Sequence, residues 1–263
     1  MAAERLLMPA VLTIAGSDSC GGAGLEADLK TFGRCGVYGL CAVTAVTAQD
    51  GVRVYGVFPV RPAAVVAQAE AALRAGRPEA VKTGMLWSAG IVEAVARFLA
   101  ARRLRRFVLD PVLATHGGDP LALPGAGRAM VRRLFPLAAL VTPNLREAEE
   151  ISGVKIRGAV GLEEAARRIL GKGPRAVLIK GGHGEGEATD WLFDREGKRP
   201  FSAVRVRGAR LHGSGCILSA AIAAGLARGL ALDAAVREAK AYVGRQFKGA
   251  VGCRAGALLA AHI

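Results

Sequence analysis

Short apolar runs alternate along this chain with longer stretches whose apolar positions recur every three or four residues. Residues Ala10 to Ile14, Leu40 to Val46, Ala80 to Lys82, Phe107 to Leu109, Leu140 to Thr142 and Ala176 to Ile179 form the apolar runs. Each has the length and near-continuous hydrophobicity of a strand buried on both faces. The segments Leu25 to Arg34, Pro62 to Arg74, Ala89 to Arg102, Leu162 to Leu170, Gly215 to Arg228 and Asp233 to Phe247 show helical spacing. Pro62 falls at a helix start, where its missing N–H costs nothing. Val52 to Phe58 alternates and reads as part of a small edge hairpin. Thr189 to Phe193 and Phe201 to Val206 read as antiparallel strands. The order predicts an α/β fold with a central, mostly parallel sheet flanked by helices on both faces, plus a small edge β element. No linker, repeat or low-complexity tract interrupts it, so residues 1–263 are expected to form a single domain.

Composition narrows the function classes. The net charge of +14 raises the question of nucleic acid, but the basic residues are scattered, and Arg102-Arg103 with Arg105-Arg106 is the one dense run. That run ends a predicted helix, where cations suit the dipole. A solvated basic surface that attracts anionic small molecules is the preferred reading, with no nucleic-acid partner. The five cysteines are odd in number and form no Cys-x-x-Cys pair, which argues against a disulfide framework and against a zinc site. The first nine residues carry Glu4 and Arg5 on a short apolar stretch, so neither a signal peptide nor a membrane partner is expected, and a cytoplasmic location follows.

In parallel α/β sheets, ligands gather at the carboxyl ends of the strands. Five clusters fall there. Gly16-Ser17-Asp18-Ser19-Cys20-Gly21-Gly22-Ala23-Gly24 joins a strand to a helix and lets backbone approach a ligand. Gly22, Gly24 and Ala27 match a dinucleotide fingerprint only weakly, because the loop before them is long. His212-Gly213-Ser214-Gly215-Cys216 opens an apolar helix and would offer successive N–H groups to an anion. A thiol at that position is expected to have a lowered pKa, with helix packing as the plainer alternative. Asn144, the single asparagine of the chain, precedes Glu147 by three residues. That spacing suits a helix cap with a capping-box glutamate, and also a magnesium site. Lys180-Gly181-Gly182-His183 and Asp110-Pro111 complete the set.

Taken in order, these segments resemble hydroxymethylpyrimidine/phosphomethylpyrimidine kinase of thiamine biosynthesis, in the ribokinase-like superfamily. The likeness rests on Thr13 to Ser19, Gly21 to Gly24, Ala27 to Phe32, Thr44 to Gln49, Lys82 to Leu86, Asp110 to Val112, Val141 to Asn144, Lys180 to His183 and His212 to Cys216. It runs from about Val11 to about Tyr242. The resemblance implies a ribokinase-like fold, usually a homodimer, and two successive phosphorylations of a small-molecule pyrimidine by Mg2+ and ATP. It further implies that Gly16, Asp28, Gln49 and Met85 line the pyrimidine site. Gly213, Ser214, Gly215 and Cys216 would form the anion hole, with Cys216 as base. Asp110 and Glu147 would hold magnesium, and Lys180, Asn144 and Glu147 would meet ATP. The chain departs from the family pattern at Cys20 (usually Gly or Ser), Asp50 (usually Asn), Thr115-His116, Arg210-Leu211 and the C-terminal segment from Cys253. Pyridoxal kinase activity and a non-catalytic pyrimidine sensor remain alternatives on the same fold.

Overall fold

The computed structural model describes residues 8–115, 117–181, 188–203 and 211–262. Nine strands form one sheet: β1 (Ala10–Asp18), β2 (Tyr38–Gln49), β3 (Val54–Pro59), β4 (Ala80–Thr83), β5 (Phe107–Leu109), β6 (Leu140–Val141), β7 (Val177–Ile179), β8 (Asp190–Asp194) and β9 (Gly197–Phe201). Their spatial order is β3-β2-β1-β4-β5-β6-β7-β8-β9. The six strands from β2 to β7 in that order run parallel, while β3, β8 and β9 join antiparallel at the two edges.

The continuous apolar runs are explained by what covers them. In β5, Phe107 and Leu109 enter the core on one face and Val108 enters the core on the other. Strands β1 and β7 divide in the same way, with Leu12, Ile14, Val177 and Ile179 on one side and Val11 and Leu178 on the other. Because successive side chains point to opposite faces, only an all-apolar run can fill two cores at once. Helices α2 (Pro62–Ala75), α3 (Ala89–Arg102), α4 (Ala126–Arg133) and α6 (Gly158–Leu170) contribute to the first core. The second core holds α1 (Gly24–Arg34), α7 (Ser214–Ala227) and α8 (Leu232–Lys248). Helix α7 is buried on every side from Ile217 to Ala227, which accounts for its lack of a polar face.

Two expectations change. The antiparallel partner of β8 is Gly197–Phe201, not the segment beginning at Phe201, and residues 204–206 lie outside the described residues. A C-terminal hairpin, β10 (Val251–Gly252) with β11 (Leu258–Leu259), had no counterpart in the sequence pattern. Leu258 bridges to Leu211, so this hairpin rests beside the segment that leads into α7.

Candidate active site

The parallel strands deliver their carboxyl ends to one rim, and the fifth helix, α5 (Leu145–Ser152), starts there directly after β6. Asn144 caps it. The Asn144 carbonyl oxygen of the side chain accepts from the Glu147 N–H at 2.9 Å, and Glu147 Oε2 accepts from the Asn144 N–H at 2.8 Å. The capping box expected from the spacing is therefore present. It leaves the second Glu147 oxygen available for other chemistry.

Asp110, immediately after β5, is the hub of the polar centre. Its Oδ1 accepts from Lys180 Nζ at 3.0 Å and from the Thr142 hydroxyl at 3.1 Å, while Oδ2 accepts from Ser219 Oγ at 3.2 Å. Burial pushes the Asp110 carboxyl up, but the Lys180 and Lys82 ammonium groups outweigh it and leave it below the usual range. The same charges act in reverse on Lys180, whose ammonium is held above its usual range by Asp110 and Glu147 despite burial.

Glu147 is different. Burial, with the Asp110 charge adding to it, pushes its carboxyl up to about 7 against the pull of Lys180. A buried carboxylate that ionises this reluctantly, with one oxygen that accepts no hydrogen bond among the described residues and a second carboxylate nearby, suits a divalent cation that keeps most of its waters. Its raised value also has a consequence for stability. Between pH 4.5 and about 7 the folded chain holds a proton that the unfolded chain has released, so this group lowers stability as pH rises through that window. Glu147→Gln keeps an oxygen for the cap and removes the ionisation. Above pH 7 the variant should be more stable than the parent by on the order of 3 kcal/mol, and below pH 4.5 the difference should vanish. Thermal melts at both ends of the window check this.

Helix α7 begins against this centre. Its N-cap, Gly213, has a φ of 75°, and a Cβ there would lie 2.0 Å from the Gly22 carbonyl oxygen. Glycine is required on both counts. The contact presses the loop after β1 onto the start of α7. A Cβ on Gly215 would lie 3.2 Å from Lys180 Nζ, which places that ammonium beside the helix N-terminus. Cys216 follows in the first turn. Burial pushes its thiol up to about 11, with Asp110 and Asp28 adding to it and Lys82 opposing. The expectation of a lowered thiol is therefore corrected: burial, with two carboxylate charges adding to it, outweighs the favourable helix end.

The residues expected at a pyrimidine separate into two layers. Gly16, Gln49 and Met85 stand at the ends of the adjacent strands β1, β2 and β4. A Cβ on Gly16 would lie 2.8 Å from Met85 Sδ, so glycine there leaves the methionine its place. The Thr44 hydroxyl holds the Met85 carbonyl at 2.6 Å, and the Gln49 amide donates to Thr47 Oγ1 at 2.8 Å. Asp28 lies beneath them, fully enclosed. Both its oxygens accept from Lys82 Nζ, at 2.8 and 2.7 Å, and Oδ2 also accepts from Thr13 at 2.6 Å. Burial raises the Asp28 carboxyl overall against the pull of Lys82, and Lys82 is raised as well; three hydrogen bonds from two donors, the Lys82 ammonium and the Thr13 hydroxyl, hold the carboxylate as an ion pair.

Three residues that lie within the sequence motifs without a role assigned to them there organise the rim. Lys82 holds Asp28 and acts electrostatically on Cys216 and Asp110. Asp18 accepts from the N–H groups of Cys20, Gly22 and Ala23, and His212 Nε2 donates to its Oδ2 at 2.9 Å. An acidic residue inside a glycine loop was the available signal. Gly182 and His183 lie outside the described residues.

A mostly parallel sheet between two helical layers, with an anion-receptive helix start facing a lysine and carboxylates, defines a kinase of the ribokinase-like class. Among solved structures, an ADP complex of Bacillus subtilis pyridoxal kinase superposes with a TM-score of 0.88 at 34% identity, covering 97% of both chains. Phosphomethylpyrimidine kinase from Clostridium difficile 630 gives a TM-score of 0.80 at 38% identity, covering 90% of this chain and 98% of that one. The phosphomethylpyrimidine kinase family model matches residues 18–259, and the chain belongs to this family. Hydroxymethylpyrimidine/phosphomethylpyrimidine kinase of Synechococcus elongatus is 44% identical over 240 residues, covering 90% of this chain and 91% of that protein. The Escherichia coli protein of the same name is 42% identical, covering 88% of each. The thiamine biosynthesis bifunctional protein ThiED of Geobacter sulfurreducens is 45% identical, and the chain spans 48% of its length. No helix among the described residues is long and apolar enough to cross a membrane.

Proposed function

We propose that this protein transfers the terminal phosphoryl group of ATP to the hydroxyl of hydroxymethylpyrimidine, and then a second one to the resulting monophosphate, in the cytoplasmic synthesis of thiamine. The observation that carries this reading is the juxtaposition of two half-sites. The first turn of α7 lies beside Lys180, which is paired with Asp110, and so suits an anion, while the ends of β1, β4 and β2 carry Gly16, Met85 and Gln49 on the same rim. In the transfer, the substrate oxygen bonds to the terminal phosphorus, the bond to the ADP oxygen breaks, and the hydroxyl proton leaves. The N–H groups from Gly213 to Cys216 stabilise charge on the transferring group, and Lys180 offsets its remaining charge. Cys216 takes the proton in its ionised form. Magnesium would be held through Glu147 and, by way of water, Asp110, with Asn144 at the same helix start; when bound it neutralises phosphate charge.

Gln49 supplies both a donor and an acceptor to an aminopyrimidine edge. Gln49→Leu should weaken binding of the pyrimidine by about 1–3 kcal/mol and leave ATP binding unchanged. Calorimetry with each ligand separates the two, and equal losses would count against this role. The edge of the sheet bears Val46, Tyr55 and Phe58, all well exposed on the β2–β3 ribbon. A homodimer that covers this ribbon accounts for so much exposed apolar surface on one edge. Release of ADP with the pyrimidine, its monophosphate and pyridoxal, measured side by side, tests the proposed activity.

A further inference from the structure

Asp18, Cys20 and His212 bring three different metal-ligating groups together from positions up to 194 residues apart. Asp18 ends β1, Cys20 lies in the turn that follows, and His212 precedes the N-cap of α7. His212 Nε2 is 2.9 Å and Cys20 Sγ 3.3 Å from Asp18 Oδ2, and the three donor atoms all lie within 4.8 Å of one another. The transfer chemistry above uses none of them directly.

The frame around them is fixed. The Asp18 carboxylate is held by the N–H groups of Cys20 at 2.9 Å, Gly22 at 3.1 Å and Ala23 at 2.7 Å. The His212 N–H donates to the Leu258 carbonyl at 2.9 Å, tying it to the C-terminal hairpin. Asp18 is buried, whereas Cys20 and His212 are half-buried, so the cluster is both held and reachable from solvent.

The geometry points to a site for a zinc-class divalent cation formed by Asp18 Oδ2, Cys20 Sγ and His212 Nε2, with solvent at the fourth position. Bonds of about 2.0–2.3 Å to a tetrahedral ion separate neighbouring donors by roughly 3.3–3.7 Å. The Cys20 distance to Asp18 Oδ2 falls at that range and the His212 distance below it, and the third separation is within 4.8 Å, so side-chain rotations at Cys20 and His212 bring the three donors to ligating distances. In the metal-free network, the thiol proton and the Nε2 proton point at Asp18 Oδ2. The cation replaces both: the thiol proton leaves to solvent, and the ring proton moves to Nδ1. Oδ2 thereby loses two of its four hydrogen bonds, keeps those from the Gly22 and Ala23 N–H groups, and takes the cation in place of the other two. A thiolate and an imidazole select zinc over magnesium, so the site is chemically separate from the one proposed for ATP-bound magnesium. This assignment stands independently of the kinase reading.

Cobalt(II) titration of the whole protein, under a non-thiol reductant, tests it. One equivalent should produce a thiolate-to-cobalt charge-transfer band with release of one proton, and zinc should abolish the band. Cys20→Ser should lose the band while retaining its melting temperature. His212→Gln should weaken binding by more than the about 10–100-fold that losing an outer-sphere partner costs. Cys216→Ala and Cys41→Ser should keep the band. Its absence from the parent protein, its survival in Cys20→Ser, or its loss in Cys216→Ala would overturn the assignment.

Discussion

Cys216→Ala should fold, bind both substrates, and lose turnover by on the order of 10²–10⁴, the usual contribution of a positioned base. The thiol sits in the first turn of α7, beside the glycines proposed to receive the transferring phosphoryl group. Burial, with the Asp110 and Asp28 charges adding to it, keeps the thiol protonated at neutral pH, its pKa raised to about 11. Only the ionised form accepts a proton, so turnover of the parent enzyme should climb with pH through the alkaline range, and the alanine variant should lack that climb. Cys216→Asp should recover part of the activity and also lose the alkaline climb, because an aspartate ionises far lower. If Cys216 only packs the helix, the alanine variant will melt earlier and turn over at the parent rate. Melting temperature and turnover measured on one sample distinguish the two outcomes.

Lys82→Met should produce the largest loss of stability. Lys82 and Asp28 are both fully enclosed, and their charges meet at 2.7 Å. Two charges in such a place contribute little net stability as a pair, yet removing one leaves the other uncompensated, at about 3–5 kcal/mol. For a chain of this size that corresponds to a fall in melting temperature of roughly 6–20 °C. The double variant Asp28→Asn with Lys82→Met should recover most of the loss, since no buried charge then remains. Strict additivity of the two single losses, measured by denaturant unfolding, would show that the charges do not interact as the geometry requires.

The sheet was readable because its central strands are buried on both faces. Val108 between Phe107 and Leu109 could be apolar only in a two-sided core. The edges were harder. The expected edge strand begins at Phe201, whereas β9 ends there; the Pro200 within it is tolerated on an edge strand. The hairpin β10–β11 has two residues per strand, too few for any periodic signal. At the site, the Asn144 cap followed directly from its spacing to Glu147. The state of Cys216 did not, because a sequence shows a helix start and not which carboxylates enclose it. Asp28 likewise carried no mark of Lys82, 54 residues away, as its partner. Charges that meet across a fold are set by strand order, and strand order is not written in local pattern.

The central claim is tested most directly by the specificity constant for hydroxymethylpyrimidine against pyridoxal, from ADP release on one preparation with Mg2+ and ATP. The account predicts efficient turnover of the pyrimidine and of its monophosphate, with pyridoxal far behind. Pyridoxal as the much better substrate, or no ADP release with any of the three, would contradict it.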